Sequence, residues 1–562
     1  MSLTNRRAGL LRQRTKNTPS HPEGTRNTGG TDSRETPKIP QTWGWGASFA
    51  PILTLAVAFV MLFACTSFAT AQPGRSQKMI GMYIHQHWPY NHPYAARTWT
   101  LEDWRGYADG MKQIGYNTFL LWPMLEIMPD PLTPSDRANL SKLNKVIDML
   151  HNEMGMRVYI VICPNIHFRK GAARATFETR HYYWSDEIID PADPAALSSL
   201  VTWREKLMKP LAKVDGVAII DSDPGGWPGS TNADFVRLLG EHRKMLDRVR
   251  PGIELIYWMH AGWQGWSRFY ETGKLLLGTP EEQQDVLTRV KALNPEPWGI
   301  ANGLPYAEKL GIADKVVRFN YGLIEGEPSF PMTNFGNENT YKGAGEAGPR
   351  GVMGNAQTHC VQLPNTFAFV RGALGLPFAD ADYVEFAEGL IPGQGREIVD
   401  AWRTLQGQDA AKMRATAAEL EALPDAKLAP GRLKGLLFGS ARRFVTDLAL
   451  QLRLRAALEE ISHAPDSGPG LKSALANLVS AAEAWQRRHG YQNNWYDPRL
   501  HTALRKLHSP AVDKVLNITY EAKPPFADGQ TAPQQVAANF AAIETYTTQL
   551  LAAMKTALKE LH

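Results

Sequence analysis

An apolar run ends in two acids two residues apart in Val217-Ala-Ile-Ile-Asp-Ser-Asp-Pro-Gly-Gly-Trp-Pro-Gly. If the run is extended, Asp221 and Asp223 leave the same side of the chain, roughly 6.6 Å apart along the backbone. Carboxylates paired in this way can divide their work, one holding a proton while the other stays ionised. General acid catalysis needs that division. Asp223 is the candidate acid, and Asp221 is the partner that tunes or orients it. The opposing reading is structural, with Asp221 capping the turn and Asp223 opening an Asx turn before Pro224. A second acidic pair, Glu325 and Glu327, follows Asn320-Tyr-Gly-Leu-Ile. Set across a shared mouth from Asp223, either glutamate could serve as base for a water; as solvated loop acids they would do nothing.

The elements that must hold these acids follow from hydrophobic patterning. From Met79 onward, short apolar runs alternate with amphipathic helical stretches, the signature of a parallel sheet of βα units. The expected strands are Met79–His85, Thr118–Trp122, Val158–Cys163, Val217–Ile220, Leu255–Met259, Trp298–Ala301, Val316–Asn320 and Gly351–Asn355. Eight strands apolar on both faces suit a closed (β/α)8 TIM barrel, an α/β fold wrapped by helices. Helix ends agree: Thr100 with Asp103 forms a capping box, and Gly115 supplies a stop. Glu325 to Pro349 is rich in Gly, Asn and Pro and reads as a long loop. After residue 392 strand signals stop, and Asp409–Leu423, Leu433–Ser462, Leu471–Arg488 and Ala537–Leu561 have helical spacing. The expected organisation is a basic tail over 1–44, an apolar segment over 45–74, the barrel over 75–392 and an all-helical domain over 393–562.

In such a barrel chemistry sits at the C-terminal ends of the strands. Those ends carry His85, His87 and Trp88, then Trp122, then Asn165, then Asp221 with Trp227. They continue with Trp258 and His260, Asn302, Asn320 and Tyr321, and finally Asn355, Gln357 and His359. Sugars present flat C–H faces that pack on aromatic rings, and hydroxyl rims that bond to amides, imidazoles and carboxylates, so a mixed rim of this kind suits a carbohydrate substrate. No HExxH or other helical metal spacing occurs, and no metal or cofactor is expected.

The 562 residues exceed one ordinary core, which fits a large domain with a smaller one. The net charge of +5 lies wholly in residues 1–44, and the rest holds 53 basic and 53 acidic residues, so a nucleic-acid footprint is not supported. From Trp45 to Gly74 there is no charge, and Ile52 to Phe63 is densely apolar. Three fates are open. Ala69-Thr-Ala71 fits cleavage of a signal peptide, Leu62-Phe-Ala-Cys65 resembles a lipobox, and the uncleaved segment is long enough to span a bilayer. Each places residues 75 onward outside the cytoplasm, secreted, periplasmic or anchored, with membrane contact only through 45–71. Cys163 and Cys360, the two cysteines beyond this segment, read as small buried hydrophobes.

Three pieces carry a family resemblance: Gly115-Tyr-Asn-Thr-Phe-Leu-Leu-Trp, the Asp221 to Gly226 turn, and Gly354-Asn-Ala-Gln-Thr-His. Over residues 79 to about 390 the chain resembles the TIM-barrel glycoside hydrolases related to hexosaminidases and α-glucuronidases. The α-glucuronidase turn reads Ser-Glu-Gly-Gln-Pro-Gly with its Glu as the acid, which implies that role for Asp223. Hexosaminidase-like relatives set two adjacent acids there; here Ser222 separates them. The resemblance implies cleavage of a glycosidic bond in an extracytoplasmic polysaccharide or oligosaccharide, one bearing uronic acid or N-acetylhexosamine. Two other outcomes stay open: a carbohydrate-binding barrel at the cell surface without catalysis, and a metal-dependent TIM-barrel hydrolase.

Overall fold

The computed structural model describes residues 77–86, 90–168, 186–222, 225–272, 277–293, 299–326, 332–336, 338–490, 497–517 and 549–561. The strands are β1 (Met79–His85), β2 (Thr118–Trp122), β3 (Arg157–Ile162), β4 (Ile166–Phe168), β5 (Asp186–Ile188), β6 (Gly216–Ile220), β7 (Glu254–Trp258), β8 (Gly299–Ala301), β9 (Val316–Asn320) and β10 (Gly351–Asn355). Eight close into a parallel barrel in the order β1-β10-β9-β8-β7-β6-β3-β2. These are the eight strands expected from patterning, with bounds differing by one residue at most; Trp298 lies outside the described residues. Strands β4 and β5 form a separate antiparallel hairpin, too short for its pattern to register in the sequence.

Alternation along the strands makes two cores. Tyr83, Trp122, Val161, Ile220, Trp258 and Phe319 point into the lumen. Their neighbours, such as Ile84, Leu121, Ile162, Ile219 and Tyr257, face the helices. Both faces are dry, so no strand shows the polar alternation of a half-exposed sheet. The same parity decides which rim residues reach the mouth. Residues two beyond Trp258 or Ile220 continue the lumen side; residues one beyond turn outward.

The surrounding helices are α1 (Leu101–Ile114), α2 (Pro134–Met149), α3 (Pro194–Met208), α4 (Asn232–Val249), α5 (Trp263–Thr272), α6 (Pro280–Leu293), α7 (Leu304–Lys309), α8 (Glu338–Gly345) and α9 (Leu363–Ala373). Thr100 and Asp103 cap α1 reciprocally, as their spacing requires. The stretch expected as a loop from Glu325 to Pro349 contains α8. Its Gly, Asn and Pro flanks hid eight helical residues whose Thr340 and Ala344 pack inward.

Beyond the barrel come α10 (Asp380–Leu390), α11 (Gly395–Gln406), α12 (Ala410–Ala422), α13 (Ala441–His463), α14 (Pro469–His489), α15 (Pro498–Arg505) and α16 (Pro510–Leu516), and residues 549–560 are helical. The expected single helix from Leu433 to Ser462 is broken by Phe438 and Gly439, both in the left-handed region. This region packs backbone to backbone on the barrel: a Cβ on Gly435 would lie 1.8 Å from the Gly106 carbonyl of α1. Gly435→Ala should therefore cost about 1–3 kcal/mol, read as a lower midpoint in denaturant. The uncharged segment 45–74 lies outside the described residues, and among those described no helix is long and apolar enough to cross a membrane. Cys163 and Cys360 are both buried, as small apolar residues would be.

Candidate functional site

The lumen closes toward the C-terminal face with an aromatic floor. Tyr83 stacks near Trp122 (centroids 6.0 Å) and meets Trp258 edge-on (5.2 Å), and Trp258 lies 4.0 Å from Phe319. Trp122 and Trp258 are buried in that layer. Above it stand His85, 5.2 Å from Trp122, then His260, 6.4 Å from both Trp258 and Tyr321, and Gln357, whose Nε2 donates to Tyr321 Oη at 3.4 Å. Tyr321 and His260 are half-buried. Burial, helped by nearby His359 and opposed by a bond to Asn355, pushes the His85 pKa well below its ordinary value. His85 is thus a neutral imidazole.

Asp221 does not share this mouth. It continues the outward parity of Val217 and Ile219, and its Oδ2 accepts from Tyr257 Oη (2.8 Å), a ring packed on Phe235 in the helix layer. The main-chain N–H groups of His260 (3.0 Å) and Ala261 (3.1 Å) donate to Oδ1, and that of Gly262 (3.0 Å) to Oδ2. Burial outweighs these bonds and raises its pKa to about 6. The turn folds back so tightly that a Cβ on Gly225 would meet the Asp221 carbonyl at 2.3 Å, which explains the glycine there. Ser222, on the lumen side, pairs its Oγ with His260 Nδ1 at 2.8 Å. Asp223, Glu327, His87 and Trp88 lie outside the described residues, as does the side chain of Asn320.

Other rim residues brace the loops. Asn165 donates to the carbonyls of Ile189 and Gly226, both at 2.8 Å, and so ties the β4–β5 hairpin to the β6 turn. Asn302 donates to the Met259 carbonyl (3.2 Å) and accepts from Phe319 N–H (3.0 Å). Asn355 donates to the Glu325 carbonyl at 2.9 Å. Trp227 is half-buried, with its N–H on Ser267 Oγ at 3.3 Å. His359 packs away from the mouth against Trp99 and Tyr107, where burial lowers its pKa to about 3.

Glu325 is buried as well, and burial raises its pKa against four hydrogen bonds. Oε2 accepts from the N–H groups of Gln357 and Thr358 at 2.7 Å, and Oε1 from Thr358 Oγ1 (2.7 Å) and Gln362 Nε2 (3.4 Å). A glutamine can keep one oxygen on the two main-chain donors while its amide donates to Thr358 Oγ1, giving up only the 3.4 Å bond from Gln362 Nε2, which also donates to the Met332 carbonyl. Glu325→Gln should cost about 1 kcal/mol and Glu325→Ala about 3, compared by denaturant unfolding. Equal losses would show that the two main-chain donors do not need Glu325.

Two residues at this face were not singled out from sequence. Ser222 is one, and lumen parity from Ala218 and Ile220 is the signal that finds it. Glu126 is the other, four residues past Trp122. Its buried carboxyl accepts from Cys163 N–H and from Trp122 Nε1 (3.4 Å), and burial raises its pKa against the pull of Arg204. Arg204, itself buried and lowered to about 10, donates to the carbonyls of Cys163 (2.6 Å), Pro164 (2.7 Å) and Ile166 (3.1 Å). Among the described residues no three His, Cys, Asp or Glu side chains gather as a metal-ligand group.

No family model matches the chain, and no curated protein matches it. Among solved structures it is similar to a family 89 glycoside hydrolase from Clostridium perfringens, at 9% identity over 85% of this chain and 64% of that one, with a TM-score of 0.46. It is similar to a Thermobaculum terrenum O-GlcNAc hydrolase at 10% identity, over 80% of this chain and 98% of that one, TM-score 0.41. An N-acetylneuraminate lyase from Aliivibrio salmonicida is similar at 12% identity, over 67% and 97% of the two chains, TM-score 0.30.

Proposed function

We propose that this chain is a glycoside hydrolase-like enzyme that binds a poly- or oligosaccharide at the C-terminal face of its barrel and cleaves a glycosidic bond. The rim carries the reading: His85, His260, Tyr321 and Gln357 stand over a floor of Trp122, Trp258 and Phe319. Amide, imidazole and phenol groups suit the hydroxyl edge of a sugar, and of these four His260 and Tyr321 are partly open to it while the rings below are buried. Asp223, next to Ser222 at the end of β6, is the general acid. Asp221 acts as a positioning residue, because its oxygens are occupied by the 260–262 main chain. Glu327 is the candidate base in the loop after β9, and Glu325 holds the segment that carries Gln357. The proposed setting is outside the cytoplasm, by way of the apolar segment 45–71.

One observation favours a second reading. With Asp221 spent on the loop, Asp223 loses its partner acid, which fits a barrel that binds glycan without cleaving it. Incubating the chain with oligosaccharides bearing uronic acid or N-acetylhexosamine separates the two. New reducing ends support the hydrolase, binding without product supports the second reading, and neither binding nor product sinks both.

A further inference from the structure

The helical region reaches back to the barrel through α13. Asp447 and Gln451 lie one turn apart on that helix, and both are buried. The Asp447 carboxylate accepts from Tyr94 Oη, in the loop between β1 and α1, and from Arg443 (2.7 Å) and Arg488 (2.6 Å). The Gln451 side-chain oxygen accepts both the N–H (2.8 Å) and the hydroxyl (3.0 Å) of Thr333, in the loop between β9 and α8. Gln406 of α11 donates to the Thr333 carbonyl at 2.9 Å. Two amides from the helical region thus hold every polar atom of one barrel residue.

The bonds continue inward. Gln362, just before α9, grips the residues on either side of Thr333: its Oε1 accepts from Asn334 N–H (2.9 Å) and its Nε2 donates to the Met332 carbonyl (2.8 Å). The second proton on Nε2 goes to Glu325 Oε1 at 3.4 Å, and Glu325 Oε2 accepts from the N–H of Gln357 at 2.7 Å. Gln357 is the rim residue that donates to Tyr321 Oη. Thr333, Gln362, Glu325 and Gln357 are all buried, like Gln451. An apolar residue at 451 would have served packing alone, since Leu448, Ala449 and Leu452 already bury that stretch of α13. A buried amide costs desolvation, and that cost is offset only when the loop brings its donors to meet it.

We propose that Gln451 is a positioning residue for the sugar site: it fixes the 332–334 segment and, through Gln362 and Glu325, sets where Gln357 stands. The helical region is then part of the framework of the mouth. That the positioned rim meets a sugar rests on the carbohydrate reading above; that α13 holds the rim segment does not.

Hydrogen exchange of the full chain tests the framework, comparing peptides that cover 332–336 and 355–360. In Gln451→Met, which keeps the length and loses the acceptor, both peptides should exchange about tenfold faster, while strands β2 and β3 keep their protection. Faster exchange in 332–336 alone, or in neither peptide, overturns the proposal. Gln451→Glu keeps an acceptor oxygen of the same reach and should restore protection; a loss as large as in Gln451→Met would assign the effect to packing and overturn it too. Gln406→Ala, at an exposed position, should give the same pattern at smaller amplitude, and it serves where Gln451→Met does not fold. Arg453→Ala, which removes the α12–α13 ion pair with Glu421 (2.8 Å), should change neither peptide. For an oligosaccharide bearing uronic acid or N-acetylhexosamine that binds the wild type, Gln451→Met should weaken affinity about tenfold and Gln451→Glu should recover it. Unchanged affinity overturns the link to the site. If no such oligosaccharide binds the wild type, the carbohydrate reading fails, and exchange alone decides whether α13 holds the rim segment.

Discussion

Asp223→Asn is expected to lower the turnover of a cleaved oligosaccharide by about 10²- to 10⁴-fold with little change in KM, the range over which a positioned proton donor contributes. The amide keeps the size and polarity of the side chain, so binding survives and proton donation does not. The loss should depend on the leaving group. An aryl glycoside that departs as a stable phenolate needs no proton and should lose far less than a natural sugar leaving group. Asp223→Glu keeps a carboxyl, with the reach that the resembled α-glucuronidases have, and should retain far more activity than the amide. A uniform loss across leaving groups would assign Asp223 to binding or folding instead. Unchanged turnover in Asp223→Asn would remove it from the chemistry altogether.

The barrel was legible because both faces of its strands are dry. Each run from Met79–His85 to Gly351–Asn355 had only to be apolar and bounded by turn residues, and the described strands keep those bounds within one residue. The positions of the strand ends were legible with the strands, but the uses of the residues there were not: Asn165, Asn302 and Asn355 brace loops, and Trp122 and Trp258 are buried. Orientation was harder to read. Two acids two apart share a side only if the strand continues, and that argument says nothing about which side. Val217 and Ile219 turn outward, so Asp221 follows them into the helix layer, and Ser222 takes the lumen side. The parity was present in the sequence, but both faces are apolar and nothing in the pattern marks the lumen. Partner choice was less legible still. Asp221 meets a loop about forty residues on, and Glu325 meets the segment after β10. His359 looks like a rim residue by position and packs instead against Trp99 and Tyr107. Only the folded chain brings such pairs together.

Asp221→Ala should be the most destabilising single change at this face, at about 4 kcal/mol. The carboxylate is not itself a net source of stability. Its pKa is raised from 3.8 to about 6, so the ionised form is less at ease in the fold than in water. A raised carboxyl pKa means that the folded state holds its proton longer. Stability from this group is therefore full below about 3.8 and is lost as pH rises through about 6, a change of about 3 kcal/mol. Removing the group is worse than keeping it, because the Tyr257 hydroxyl and the main-chain N–H groups of residues 260 to 262 lose their acceptor together. Asparagine is a poor substitute here, in contrast to glutamine at Glu325. Both Asp221 oxygens face main-chain donors, so either orientation of an amide sets its NH2 against an N–H. Asp221→Asn should cost about 3 kcal/mol at pH 7 and abolish the stability change between about pH 4 and 6. Denaturant unfolding across that window, with hydrogen exchange at residues 260 to 262, reads both effects. Full protection of those amides in Asp221→Ala would mean that the loop holds itself, and Asp221 would then have no positioning role to play.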